Sequence, residues 1–149
     1  MILKKAQLNL LGAVIAHVIY ISSIITFSAR MFIGTQPGHW IGFPILLMAF
    51  PLLFLLVRAP AVERPPLYYI QVGLMLTWII MLFLVDYLFH YDFRATQWMV
   101  IAYVVLYFAG MGGMLGVAAL AGRKWTISGV ILFFVAGVMA FVQRAVTGF

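Results

Sequence analysis

"MILKKAQLNLLGAVIAHVIYISSIITFSAR", residues 1–30, decides which solvent this chain is built for. After Lys4 and Lys5 the chain runs apolar from roughly residue 8 to 28, and His17 is its only histidine, with no Lys, Arg, Asp or Glu beside it. About 20 such residues, at ~1.5 Å each, match a ~30 Å hydrocarbon core. A basic start before an apolar run also opens secretory signal peptides. Here the run exceeds a typical signal core, and no small-residue cleavage site closes it. The stretch reads as a retained first span.

Composition generalises the point. The chain has 149 residues, 66% hydrophobic and 8% charged. A soluble domain is nearer 45–50% apolar and about 25% charged. Too little polar surface exists to solvate a globule, so lipid is the alternative solvent. There is no cysteine, which excludes disulfides, thiolate metal sites, iron–sulfur clusters and cysteine nucleophiles. The net charge of +6 is spread over loops rather than gathered on a module, so nucleic acid is not an expected partner.

Working outward, four more apolar segments follow, at roughly 41–57, 67–89, 98–121 and 126–143. The breaks between segments are "ARMFIGTQPGHW", "RAPAVERPP", "HYDFRATQ" and "GRKW", which hold the turn formers, prolines and charges. The expected fold is an all-α integral membrane protein, one five-helix transmembrane bundle over residues 1–149. The second segment is short and holds Pro44 and Pro51. Pro44 suits a first turn, whereas Pro51 should kink the helix. A re-entrant path for this segment stays open.

Lys4, Lys5, Arg58, Arg64, Arg123 and Lys124 then fall on one side, and Arg30, Arg94 and Arg144 on the other. Six against three predicts a cytoplasmic N-terminus and an external C-terminus in a bacterial-type inner or plasma membrane. Trp40, Trp98, Trp125, Tyr68 and Tyr69 lie near span ends, as interfacial aromatics do. Trp78 falls mid-span and reads as packing.

The polar positions are few. Asp86, His90 and Arg94 are spaced i, i+4 and i+8, so a continuing third helix would align them on one ridge. Arg30 and His39, in the first external loop, and Asp92 share that side. The six are expected to form an external electrostatic cluster, with Arg30 bridging to Asp86 or Asp92. A weaker alternative places a metal on His39, His90 and Asp86, although no helical histidine pair supports it. His17 lies mid-span, where an ionisable group is costly. It is expected either to bond across helices, to Tyr20 or a carbonyl, or to join Tyr20 in a ligand or proton site. Tyr103 and Tyr107, one turn apart, could line a cleft. Asp86 and His90 complete the candidate binding positions. His17 and His90 are offset by ~15 Å along the helix axis, which excludes a shared haem iron. No cofactor is expected.

Small residues mark the packing faces. Gly112, Gly113 and Gly116 in the fourth span, with Gly129 and Gly137 in the fifth, predict a close hairpin between the last two helices. A homo-oligomer seam or a surface for another membrane subunit is the alternative.

Three function classes remain. A non-catalytic subunit or assembly factor of a membrane complex ranks first, on the minimal loops and glycine-rich faces. A binding or transport bundle for a lipid or small hydrophobic ligand is the alternative. A membrane enzyme at the external rim comes third, because no catalytic signature is present.

Overall fold

A computed structural model of the chain describes residues 4–34 and 40–148. Its described elements are all helical, with no strand among them. Helix α1 spans Lys5–Phe32. It starts where the Gln7 side-chain oxygen accepts the Lys4 N–H at 2.8 Å, offsetting an orphan donor. It ends at Gly34, whose N–H donates to the Ala29 carbonyl at 3.2 Å and whose φ of 110° then turns the chain out of the helix.

Helices α2 (Phe43–Leu47) and α3 (Ala49–Arg58) form one shorter apolar rod, broken at Met48. Pro51 explains the break. It has no N–H to give the Leu47 carbonyl four residues back, and its ring crowds that carbonyl. A tight turn over Pro60–Val62 follows, then Glu63 in the left-handed region at φ 51°. Pro66 opens α4 (Pro66–Leu82), which runs on as a π-helical turn over Phe83–Leu88. Helices α5 (Gln97–Ala119) and α6 (Arg123–Thr147) are joined by a short turn through Gly122 at φ 119°.

Four rods, Lys5–Phe32, Pro66–Leu88, Gln97–Ala119 and Arg123–Thr147, are long and apolar enough to cross a membrane. Their outer faces carry large apolar side chains where a soluble bundle would carry charge. Ile101, Val105, Phe134, Val138 and Phe141 are each more than half exposed. In water such a surface would aggregate, whereas in lipid it is the matched one.

The core lies among α1, α4 and α5, around Ile19, Tyr20, Val72, Met75, Met111 and Met114. The glycine seam is placed differently from the sequence expectation. A Cβ on Gly113 would lie 2.9 Å from the Gln71 carbonyl oxygen, and one on Gly110 would lie 3.1 Å from the Met75 Cα. Gly116 holds the Gln71 side-chain amide against the α5 backbone. The close approach is therefore α5 to α4, not α5 to α6. Gly112 has nothing within 4 Å and faces outward. Gly129 and Gly137 do meet α5, but through the side chains of Leu115 and Phe108. The bulk of the α6 packing is on α1. The reason is rotational phase: α5 is apolar on all sides, so the pattern could not say which glycines point inward.

The third-span ridge is also corrected. The helix does not continue to Arg94. After the π turn, Phe89 N–H donates to the Leu84 carbonyl at 2.9 Å, and His90 enters the left-handed region at φ 49°. Phe93–Ala95 is a separate short turn, started by Asp92, whose carboxylate accepts the Arg94 N–H at 3.2 Å. Asp86, His90 and Arg94 thus do not share one helical face.

Candidate functional site

The two ends of the bundle differ in how their polar groups are used. The proximal end is where α1 begins, and the distal end is where α1 finishes. At the proximal end the Arg64 guanidinium donates to the Asn9 side-chain oxygen and lies 4.7 Å from the Tyr68 ring centroid. Asn9 in turn donates to the Leu120 carbonyl at 3.0 Å. The proline-rich turn, α1 and the end of α5 are fastened together by this chain of bonds. Sequence reasoning missed it, because the pairing joins residues 55 and 111 positions apart.

His17 and Tyr20 are likewise satisfied. The His17 Nδ1 lies 2.8 Å from the Ala13 carbonyl and Nε2 lies 2.7 Å from the Ser128 hydroxyl. A carbonyl only accepts, so Nδ1 carries a proton, and Nε2 competes with the Lys124 and Trp125 carbonyls, at 3.0 and 3.3 Å, for the single Ser128 hydroxyl proton. Trp125 stacks edge-on at 4.9 Å. Tyr20 is buried and donates to the Met111 carbonyl at 2.7 Å. Both side chains lock α1 to its neighbours.

The distal half is different. A cleft of about 120 Å³ opens between α1, α2, α4, α5 and α6. Phe27, Trp78, Tyr103, Tyr107 and Phe108 form its aromatic walls. Trp78 and Tyr107 rings lie 5.0 Å apart, and Phe93 packs on Tyr103 at 4.9 Å to cap the box. Glycines let α5 approach α4 closely in the proximal half, whereas in the distal half Trp78 of α4 meets the Tyr103 and Tyr107 rings of α5 at 6.1 and 5.0 Å.

Three buried side-chain atoms have no hydrogen-bond partner among the described residues: Ser23 Oγ, Trp78 Nε1 and Tyr107 Oη. All three residues line this one cleft, at 1%, 3% and 4% exposure. The Ser23 and Tyr107 hydroxyls are close enough to influence each other, yet they do not reach bonding geometry. Each such group costs about 1–3 kcal/mol unless something outside the chain meets it.

The rim is cationic. Arg30, Arg94 and Arg144 line the cleft from α1, the α4–α5 loop and α6. Arg30 lies 3.9 Å from the Asp86 carboxylate, the one arginine–carboxylate pair among the described residues. The Arg94 guanidinium rests 5.1 Å from the Phe93 ring.

Of the sequence candidates, Tyr103, Tyr107, Arg30 and Arg94 line the cleft, and Asp86 meets it through Arg30. His90 and Asp92 are exposed in the loop. His39 lies outside the described residues. The described residues contain no group of three or more metal-ligating side chains. Ser23, Trp78 and Arg144 were not singled out as site residues. Trp78 alone gave a signal, an indole N–H placed mid-span where it needs a partner.

No protein-family model, curated protein or solved structure matches this chain.

Proposed function

We propose that the protein is a membrane-embedded binding bundle for a small amphipathic molecule, taken up in the distal cleft. The observation that carries this is the convergence of three buried, unpartnered polar atoms on one aromatic cavity. A pure packing subunit has no use for such a cavity. Its polar groups would be satisfied or replaced, as those at the proximal end are. The binding reading therefore stands ahead of the subunit reading that the loops and glycines suggest. Apolar walls with a few convergent polar groups are the ordinary composition of a ligand pocket.

In this reading Phe43–Arg58 is the remaining crossing, which makes five, and the proximal end faces the cytoplasm. The six-to-three division of Lys and Arg supports that orientation. The cleft then opens toward the outer side. Because the chain has no cysteine, single substitutions test the orientation directly. Ala145→Cys should label from outside with an impermeant maleimide, and Lys124→Cys should not. The reverse pattern would invert the topology.

Binding is tested through Trp78. A variant with Trp40, Trp98 and Trp125 replaced by Phe leaves Trp78 as the only indole. A brominated long-chain alcohol, added in non-ionic detergent, should quench its fluorescence saturably and be displaced by the unbrominated alcohol. Val104→Phe, which fills the cleft, should abolish the saturable component. Quenching that rises only in proportion to the alcohol content of the micelle overturns the proposal.

A further inference from the structure

Resting on the cleft as a ligand site, we propose that it selects an anionic amphiphile held at two points. The charge sits on Arg94 and Arg144 at the rim, and an uncharged oxygen sits on Trp78, Ser23 and Tyr107 at the floor.

The rim argument is one of placement. The distal end has three cationic side chains outside the histidines, and all three line the cleft. They come from three separate elements, so one amphipathic pattern does not account for them. Arg30 is partly neutralised by Asp86. The other nearby carboxylate, Asp92, accepts the Arg94 backbone N–H through one oxygen and keeps its charge, so three arginines stand against two carboxylates at this end. That leaves an excess of positive charge at the mouth of an apolar cavity, where low-dielectric walls strengthen attraction for an anion.

The floor argument is one of donor type. The Trp78 indole can only donate, and the Ser23 and Tyr107 hydroxyls can each donate or accept. An alkyl chain end would leave all three unmet, so the buried part of the ligand carries an acceptor oxygen. Ser23 lies one face and seven residues before Arg30 on α1, which sets rim and floor about 10 Å apart at ~1.5 Å per residue. The aromatic walls between them suit an apolar linker.

The test compares four probes by the rise in melting temperature they cause, followed by circular dichroism in non-ionic detergent. The first is a long-chain keto acid whose ketone lies about 10 Å from its carboxylate. The others are the plain fatty acid of equal length, the matching keto alcohol, and acetate. The keto acid should bind about tenfold more tightly than either long-chain probe lacking one feature, and acetate should have no effect. Arg94→Gln with Arg144→Gln should remove the preference for acid over alcohol and keep the preference for the ketone. Ser23→Ala with Trp78→Phe should do the opposite. Equal binding of keto acid and plain acid overturns the floor contact, and water then meets those groups. Equal binding of keto acid and keto alcohol overturns the rim contact. Acetate acting as strongly as the long-chain acids shows an anion site without a tail and overturns the amphiphile. In each of these cases saturable quenching of Trp78 by the neutral alcohol would still stand, so a failure here is separable from failure of the cleft itself.

Discussion

The proximal and distal halves of this bundle use the same ingredients to opposite effect. Each has arginine at the interface, hydroxyl- or amide-bearing side chains on α1, and aromatic rings on α4. At the proximal end Arg64 stacks on Tyr68 and bonds Asn9, and Asn9 bonds Leu120. At the distal end Arg30, Arg94 and Arg144 ring a cleft whose floor leaves Ser23, Trp78 and Tyr107 unmet. The difference begins between α4 and α5. Gly110, Gly113 and Gly116 bring the α5 backbone against α4 in one half, and in the other the contact is made through the Trp78, Tyr103 and Tyr107 rings.

The sharpest way to break this contrast is to remove the proximal clasp. Arg64 is only 9% exposed. Arg64→Ala leaves the Asn9 oxygen without its donor and strips the cation from the Tyr68 ring. The expected loss is about 2–3 kcal/mol, the cost of leaving a buried, charge-assisted bond unmade. Thermal or denaturant unfolding in micelles measures it. A loss below about 0.5 kcal/mol would mean the proximal end is as loosely tied as the distal one.

The next test acts on helix spacing. Gly113→Ala places a methyl 2.9 Å from the Gln71 carbonyl oxygen and 3.0 Å from its Cα, both backbone atoms that cannot swing aside. Separating α4 from α5 to make room should cost about 1–3 kcal/mol. Gly112→Ala, one residue earlier, meets nothing within 4 Å. It should leave stability unchanged or raise it by up to about 1 kcal/mol, because alanine relieves glycine's helix penalty. Equal effects at the two positions would place the seam elsewhere.

These neighbours also show what the sequence could and could not say. The apolar lengths and the prolines made the helical rods legible, because hydropathy reports span length directly. Rotational phase was not legible. α4 and α5 are apolar all round, so nothing distinguished Gly113 from Gly112. The π turn over Phe83–Leu88 carries no pattern of its own, and it is what turned an expected ridge of Asp86, His90 and Arg94 into a loop. The tyrosine pair and Arg30 could be named as site candidates from charge and spacing. Ser23 and Trp78 could not, because an orphaned donor is defined by what fails to reach it from other helices.

The distal half is sharpened by Asp86→Asn. The Arg30–Asp86 contact is 3.9 Å long, with the two side chains 18% and 8% exposed. The pair is long but largely buried, so neutralising Asp86 leaves the Arg30 charge poorly compensated and should cost about 1–3 kcal/mol. Binding of the anionic probes should tighten, because the substitution frees the Arg30 charge at the cleft mouth. Weaker binding of the fatty acid by this variant would show that the Asp86 pairing builds the mouth rather than competes for it.

The smallest effect concerns the turns that close the two halves. Among the described residues each half has one non-glycine residue in the left-handed region, Glu63 at φ 51° and His90 at φ 49°. For an L-residue that conformation costs about 1–2 kcal/mol, and glycine does not incur it. Glu63→Gly should therefore stabilise the proximal turn, where the Glu63 N–H donates to the Pro60 carbonyl at 3.1 Å and the backbone geometry is already fixed. Glycine's greater freedom in the unfolded chain offsets about 0.4–1 kcal/mol of this gain. The net expectation is a rise of roughly 0.5 kcal/mol, a small upward step in melting temperature. The same change removes the only carboxylate of the proximal side, so its six cations stand uncompensated. Maleimide accessibility of the cysteine variants should then report the same orientation as before, with no increase in the inverted fraction. A drop in stability on Glu63→Gly would mean that the Glu63 side chain, and not only its backbone, holds the proline-rich turn against the bundle.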